Sequence, residues 1–175
     1  MSRTTTMQRF GDLKPVQLAL PDTVRKASII DLNRTLADAI VLRDLYEKHH
    51  WQVSGPTFYQ LHLLFDVHQG QLGELIDQIA ERIMQLGGIS IAMGADAAED
   101  SEIPRPPRDR EAPAAQLARL VTGHEVLLSF ARQAARRASV QHDDGTNDLL
   151  VSDVIRLNEK QAWFVSEHLS QSKPD

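Results

Sequence analysis

Apolar residues recur along this chain at steps of three and four. Ile29, Leu32, Leu36, Ala39, Leu42 and Tyr46 form one such stripe, and the next position on it is His50. Placing residues 58–86 on an α-helix brings Leu61, Phe65, Leu72, Ile79, Ile83 and Leu86 onto one narrow face. A third stripe runs through Leu117, Leu120, His124, Leu128, Ala131 and Ala135 to about Ser139. A last helix, including Trp163, runs from the Asp143–Asp148 stretch to about Ser170. Four amphipathic helices with no alternating segment predict an all-α four-helix bundle.

The breaks between stripes carry their own signals. Asp22 or Thr23, after Pro21, can cap the first helix, and Thr57 with Gln60 can form a capping box for the second. Ser54-Gly55-Pro56 separates those two, and Gly87-Gly88 ends the second. Residues 89–112 then form a long connection, with a short helix expected near Ile91–Ala98 and with Pro104, Pro106 and Pro107 after it. A crossing connection of that length lets helices two and three run parallel. Pro113 suits a first helical position. Residues 1–21 read as a flexible arm, 22–171 as the bundle and 172–175 as a short tail.

Composition narrows the chemistry. The chain has 175 residues, enough for one domain with a proper core, and 42% of them are hydrophobic. It has no cysteine, so any metal must be held by nitrogen and oxygen donors, and an iron–sulfur cluster is excluded. No long apolar run follows Arg3, so neither a signal peptide nor a membrane span is expected, and a cytoplasmic location is. The formal charge of −5 argues against tight nonspecific DNA binding by the body.

The second helix carries a second face. His62 and Asp66 are four residues apart, as are Asp77 and Glu81, so either pair can meet one ion. The pairs lie about 16 Å apart along the axis, too far to share that ion. Their spacing is palindromic about the point between Gln71 and Leu72, and the same reflection exchanges Gly70 with Gly73. An antiparallel second copy, related by a two-fold axis there, would bring each His62–Asp66 pair towards the partner's Asp77 and the partner's Glu81. Two equivalent metal sites in a homodimer seam would result, with small residues where the backbones cross. The alternative is a solvated charged face. His68 stands on the oily face between Phe65 and Leu72, either as a buried, hydrogen-bonded histidine or as a variant ligand.

These segments resemble the Dps family, the mini-ferritins. The resemblance is carried by His50-Trp51 with Ser54-Gly55-Pro56, by LHLLFD from Leu61 to Asp66, by IDQIAERI from Ile76 to Ile83, and by Leu86-Gly87-Gly88. It extends from about residue 28 to 170. It implies a ferritin-like bundle assembled into a hollow homo-oligomer of twelve subunits built from two-fold dimers. It also implies an inter-subunit di-iron ferroxidase centre whose ligands fall on His50, His62, Asp66, Asp77 and Glu81. Trp51 beside that centre either absorbs stray oxidants or packs. Asp143 and Asp148 match the acidic lining of the family's three-fold pores, while Ser152 stands where some members have a third Asp.

The function this implies is oxidation of Fe(II), with hydrogen peroxide the preferred oxidant, and storage of ferric mineral. Zinc is the expected competitor at the same donors. An alternative is a nucleoid-associated protein whose work is DNA binding through the arm. Arg3, Arg9 and Lys14 give that arm little charge, and Arg132, Arg136 and Arg137 suit a helix C-terminus as well as a nucleic-acid patch.

Overall fold

The computed structural model describes residues 5–170, and these contain helices and connections but no strand. Helix α1 spans Asp22–Gln52, α2 Phe58–Gln85, the short α3 Gly94–Asp100, α4 Pro113–Val140 and α5 Asp144–Asp148. A π-helical segment, Leu149–Ile155, joins α5 to α6, Arg156–Ser170, so that these three form the fourth long element of the bundle.

Cross-links between helices give their directions. Tyr46 meets His68, and Arg25 reaches the carbonyl of Leu86, so α1 and α2 are antiparallel. Arg137 pairs with Asp31 while Gly123 lies against Leu42, so α4 also runs antiparallel to α1. Helices α2 and α4 are therefore parallel, as a long crossing connection requires. Leu32, Leu36, Leu42, Phe65, Leu72, Ile79, Leu120 and Leu127, all from the sequence stripes or beside them, are buried in the common core.

The start and the middle of that connection are pinned to α1. Asn33 donates its amide to the carbonyl of Ile89 and accepts from the N–H of Ile91, at 3.1 and 2.9 Å. One turn on, Asp38 is fully buried and accepts from the Ser101 hydroxyl at 2.7 Å, the Glu102 N–H at 3.1 Å and Arg34 at 3.2 Å. Burial still pushes its carboxyl above the ordinary carboxylate value, against those hydrogen bonds. The short helix lies three residues later than expected at its start, because Ile91 is tied to Asn33 and helix formation waits until Gly94.

Local signals fared unevenly. Helix α2 ends as Gly87-Gly88 predicted: Gly87 takes φ +85°, its N–H bonds the carbonyl of Met84, and the N–H of Gly88 bonds that of Ile83. Pro113 occupies the first turn of α4. The expected N-caps are absent. Pro21 precedes α1, Asp22 pairs with Arg25 instead of capping, and Thr57 makes no capping hydrogen bond.

The arm is not loose where it is described. The N–H of Lys14 donates to the carbonyl of Gly87 at 2.8 Å, Gln8 donates to the same carbonyl at 3.0 Å, and Arg25 reaches the carbonyl of Lys14. Any Cβ at position 87 would come within 2.5 Å of the Lys14 carbonyl, so only glycine admits this close approach. Within the span 1–21 expected as a flexible arm, residues 8–14 are thus hydrogen-bonded across the end of α2. The expected bundle end at 171 and the tail at 172–175 lie outside the described residues, as do residues 1–4.

Candidate metal centre

Helix α1 stops at Val53, which takes an extended conformation, and Gly55 at φ +97° turns the chain into α2. That corner sets the last turn of α1 against the first turns of α2. His50 and His62 meet there, rings stacked with centroids 3.8 Å apart and planes 19° apart, and Phe58 covers the other face of His62 at 5.1 Å. Nδ1 of His50 lies 3.0 Å from the carbonyl of His62, and Nδ1 of His62 lies 3.0 Å from the carbonyl of His50. A carbonyl only accepts, so each Nδ1 carries the hydrogen. In the neutral rings both Nε2 atoms then hold lone pairs and are left for a ligand. A backbone carbonyl on the far nitrogen is the usual support for a metal-binding histidine, since it fixes both tautomer and ring orientation.

Asp66 stands one turn beyond His62 and is exposed, as are Asp77 and Glu81 further along α2. None of the three carboxylates has a hydrogen bond or ion pair among the described residues. Within one chain, no three His, Asp or Glu side chains of the described residues gather at one point. The structure therefore brings His50 and His62 together, leaves Asp66 beside them and keeps Asp77 and Glu81 apart. Asp77 borders a groove lined by Leu36, Ile40, Gly73, Ile76 and Ala80, and Glu81 borders the next. Open space faces both Gly70 and Gly73. Trp51 is 71% exposed, so packing within its own chain does not explain it.

The two acidic residues read as pore-lining part company. Asp143 is fully buried. Its carboxylate accepts from the Ser28 hydroxyl at 2.6 Å, Arg82 at 2.8 Å and the N–H of Thr146 at 3.2 Å. Burial alone would raise this carboxyl, but those hydrogen bonds and the Arg82 charge hold it below the ordinary carboxylate value. It is the N-cap of α5 and the clasp between three elements, and a group so enclosed cannot line a water-filled passage. Asp148 is exposed, its carboxylate accepting, among the described residues, from the Ser152 hydroxyl at 2.8 Å, and Asp144 and Asp153 are exposed near it. The sequence placed His124 on an apolar stripe without further notice. In the structure it joins Tyr46 and His68 in a buried polar network, which the step-three-and-four pattern could not separate from ordinary core.

Comparison with known proteins agrees with this architecture. A ferritin-like domain model matches residues 30–173. The fold is thus that of a ferritin-like protein. DpsC from Streptomyces coelicolor is 49% identical, with a TM-score of 0.93 over 94% of this chain and 96% of that one. DNA protection during starvation protein 2 of Bacillus anthracis is 31% identical, covering 85% of this chain and 100% of that protein. A Dps protein of Vibrio cholerae, described as a member of a broad superfamily of ferritin-like diiron-carboxylate proteins, is 28% identical. Its TM-score is 0.82, over 90% of this chain and 99% of that one. The chain belongs to the Dps family of ferritin-like proteins.

Proposed function

We propose that this mini-ferritin oxidises Fe(II) at seams between two-fold related copies and stores the ferric product inside a hollow twelve-subunit shell. The reading is carried by the stacked His50–His62 pair, whose reciprocal backbone hydrogen bonds use both Nδ1 atoms and leave both Nε2 atoms for a ligand. Support comes from three free carboxylates on one helix and from the open faces of Gly70 and Gly73, where a second α2 can approach closely. An antiparallel copy supplies what one chain lacks: the partner's Asp77 and the partner's Glu81 beside His62 and Asp66.

Imidazole suits a transition metal and carboxylate the harder ferric product, so the donor set fits iron as substrate and zinc as competitor. His50 binds one iron and His62 with Asp66 the other, while the partner's Glu81 bridges and the partner's Asp77 supports the first. Hydrogen peroxide is the oxidant. Each of two Fe(II) ions gives one electron, the O–O bond breaks and two hydroxides remain, so no radical escapes. Asp148 stands at the iron's way in, where fixed negative charge raises the local cation concentration. The protein works in the cytoplasm, and no helix among the described residues is long and apolar enough to cross a membrane.

An anomalous-diffraction map after an iron soak tests this. Paired peaks beside Nε2 of His62 at a two-fold seam are expected. Peaks confined to the interior of one bundle, or none at all, would overturn the reading.

A further inference from the structure

The four long elements each send one polar side chain to the same buried point. Tyr46 comes from α1, His68 from α2, His124 from α4 and Asn158 from α6, and none is more than 2% exposed. Tyr46 Oη lies 2.7 Å from His124 Nε2 and 3.0 Å from His68 Nδ1. His124 Nδ1 lies 2.9 Å from Asn158 Oδ1, and Asn158 Nδ2 donates to the carbonyl of Val154 at 2.8 Å.

The protons in this chain can be assigned one after another. The Val154 carbonyl can only accept, so the Asn158 amide nitrogen faces it and Oδ1 faces His124. His124 Nδ1 must then carry a hydrogen, which leaves Nε2 as an acceptor in the neutral ring. Tyr46 donates its phenolic proton to that Nε2, and its oxygen accepts from His68 Nδ1–H. All the hydrogen bonds run in one direction. Well-packed apolar side chains would serve stability as well as a buried polar chain does. Tyr46 also stands one helical turn before His50, about 6 Å along the α1 axis.

We propose that Tyr46 is a one-electron donor to the iron–peroxide chemistry at the seam, with His124 Nε2 taking its proton as the electron leaves. The proposal rests on the seam reading given above. Hydrogen peroxide needs two electrons, and a seam holding a single Fe(II) supplies one. Tyr46 supplies the other. The O–O bond breaks, the phenolic O–H proton moves along the existing hydrogen bond and an N–H bond forms on His124. The products are Fe(III), two hydroxides, a neutral phenoxyl and an imidazolium, with charge and atoms conserved. The incompletely filled site then releases no hydroxyl radical. Burial, reinforced by His68 and opposed by the hydrogen bond to Asn158, holds the His124 imidazole down to about 4. A phenol that has lost an electron is a far stronger acid than that, so the proton still moves.

The chain contains two tyrosines, Tyr46 and the 66% exposed Tyr59, which makes the assignment clean. Tyr59→Phe protein, made with ring-deuterated or ordinary tyrosine, is mixed with less Fe(II) than seams and then with hydrogen peroxide. It is frozen at intervals for electron paramagnetic resonance, and ferric product is measured by absorbance in the same samples. A phenoxyl signal whose hyperfine structure collapses on ring deuteration is expected. His124→Gln keeps an acceptor for the phenol but no base, and that variant should lose the signal while still forming ferric product. Iron oxidation without any deuterium-sensitive radical would overturn the proposal and leave the seam reading standing. A radical on tryptophan alone would also overturn it, and an undiminished signal in His124→Gln would refute the role given to that histidine. Failure to oxidise iron at all would instead remove the seam reading, and this proposal with it.

Discussion

Replacing Asp143 with alanine separates structure from iron traffic. The carboxylate is fully enclosed, while the side chain of its partner Arg82 keeps 19% exposure. Removing one member of a buried ion pair costs about 3–5 kcal/mol, and the residual exposure of Arg82 argues for the lower end. Loss of the N-cap hydrogen bond to Thr146 and of the Ser28 contact is included in that figure rather than added, because one carboxylate makes all three. About 3 kcal/mol in a chain of this size corresponds to a drop in Tm of roughly 6–12 °C. Asp148→Asn alters an exposed side chain and should stay within about 0.5 kcal/mol of wild type. The assay is calorimetry at fixed protein concentration, paired with mineralisation rates at low and high ionic strength. Asp148→Asn should slow mineralisation more at low salt, since salt screens steering. Asp143→Ala, measured well below its own Tm, should not show that salt dependence. A near-wild-type Tm for Asp143→Ala together with salt-dependent slowing would refute the assignment of Asp143 to the clasp.

Acid should weaken the fold before the carboxylates titrate. Burial is the main cause that lowers His49, His68 and His124 from 6.5 to about 4. The unfolded chain therefore binds protons that the folded chain refuses, and stability present above pH 6.5 is lost as pH falls towards 4, by up to about 3 kcal/mol per histidine. Denaturant titrations across that window should show the decline, and a His68→Gln/His124→Gln variant should lose about two-thirds of it; an unchanged slope would contradict the assignment. On DNA, the fastened arm and the formal charge of −5 predict no gel retardation of duplex by the full chain at low salt. Retardation that disappears on deleting residues 1–14 would restore the DNA-binding alternative.

The bundle was legible because Leu32, Leu36, Leu72 and Ile79 lie on helical stripes whose period survives any tertiary context. The placement of Asp66, Asp77 and Glu81 on the exposed side of α2 was legible for the same reason, and so was their wide spacing within one chain. The stacking of His50 on His62 was hidden, since it depends on the angle of the corner at Gly55 rather than on spacing. Asp143 was misread because an acidic run in a turn looks alike whether it faces water or, as here, Ser28 and Arg82 from distant parts of the chain. The π-helical segment leaves no mark in residue periodicity over its seven residues. The caps failed at Asp22 and Thr57 because Arg25 holds the first and neither caps its helix.

The central claim is that each iron centre draws its ligands from two chains, and co-assembly tests it most directly. His62→Ala and Glu81→Ala proteins should each show little ferroxidase activity alone. Unfolded together in equal amounts and reassembled, half their dimers are mixed. Each mixed dimer has one seam site carrying both lesions and one with every ligand intact, so up to about a quarter of wild-type activity should return. Activity that stays at the level of the separate variants, with mixed dimers confirmed by mass spectrometry, would contradict the shared centre.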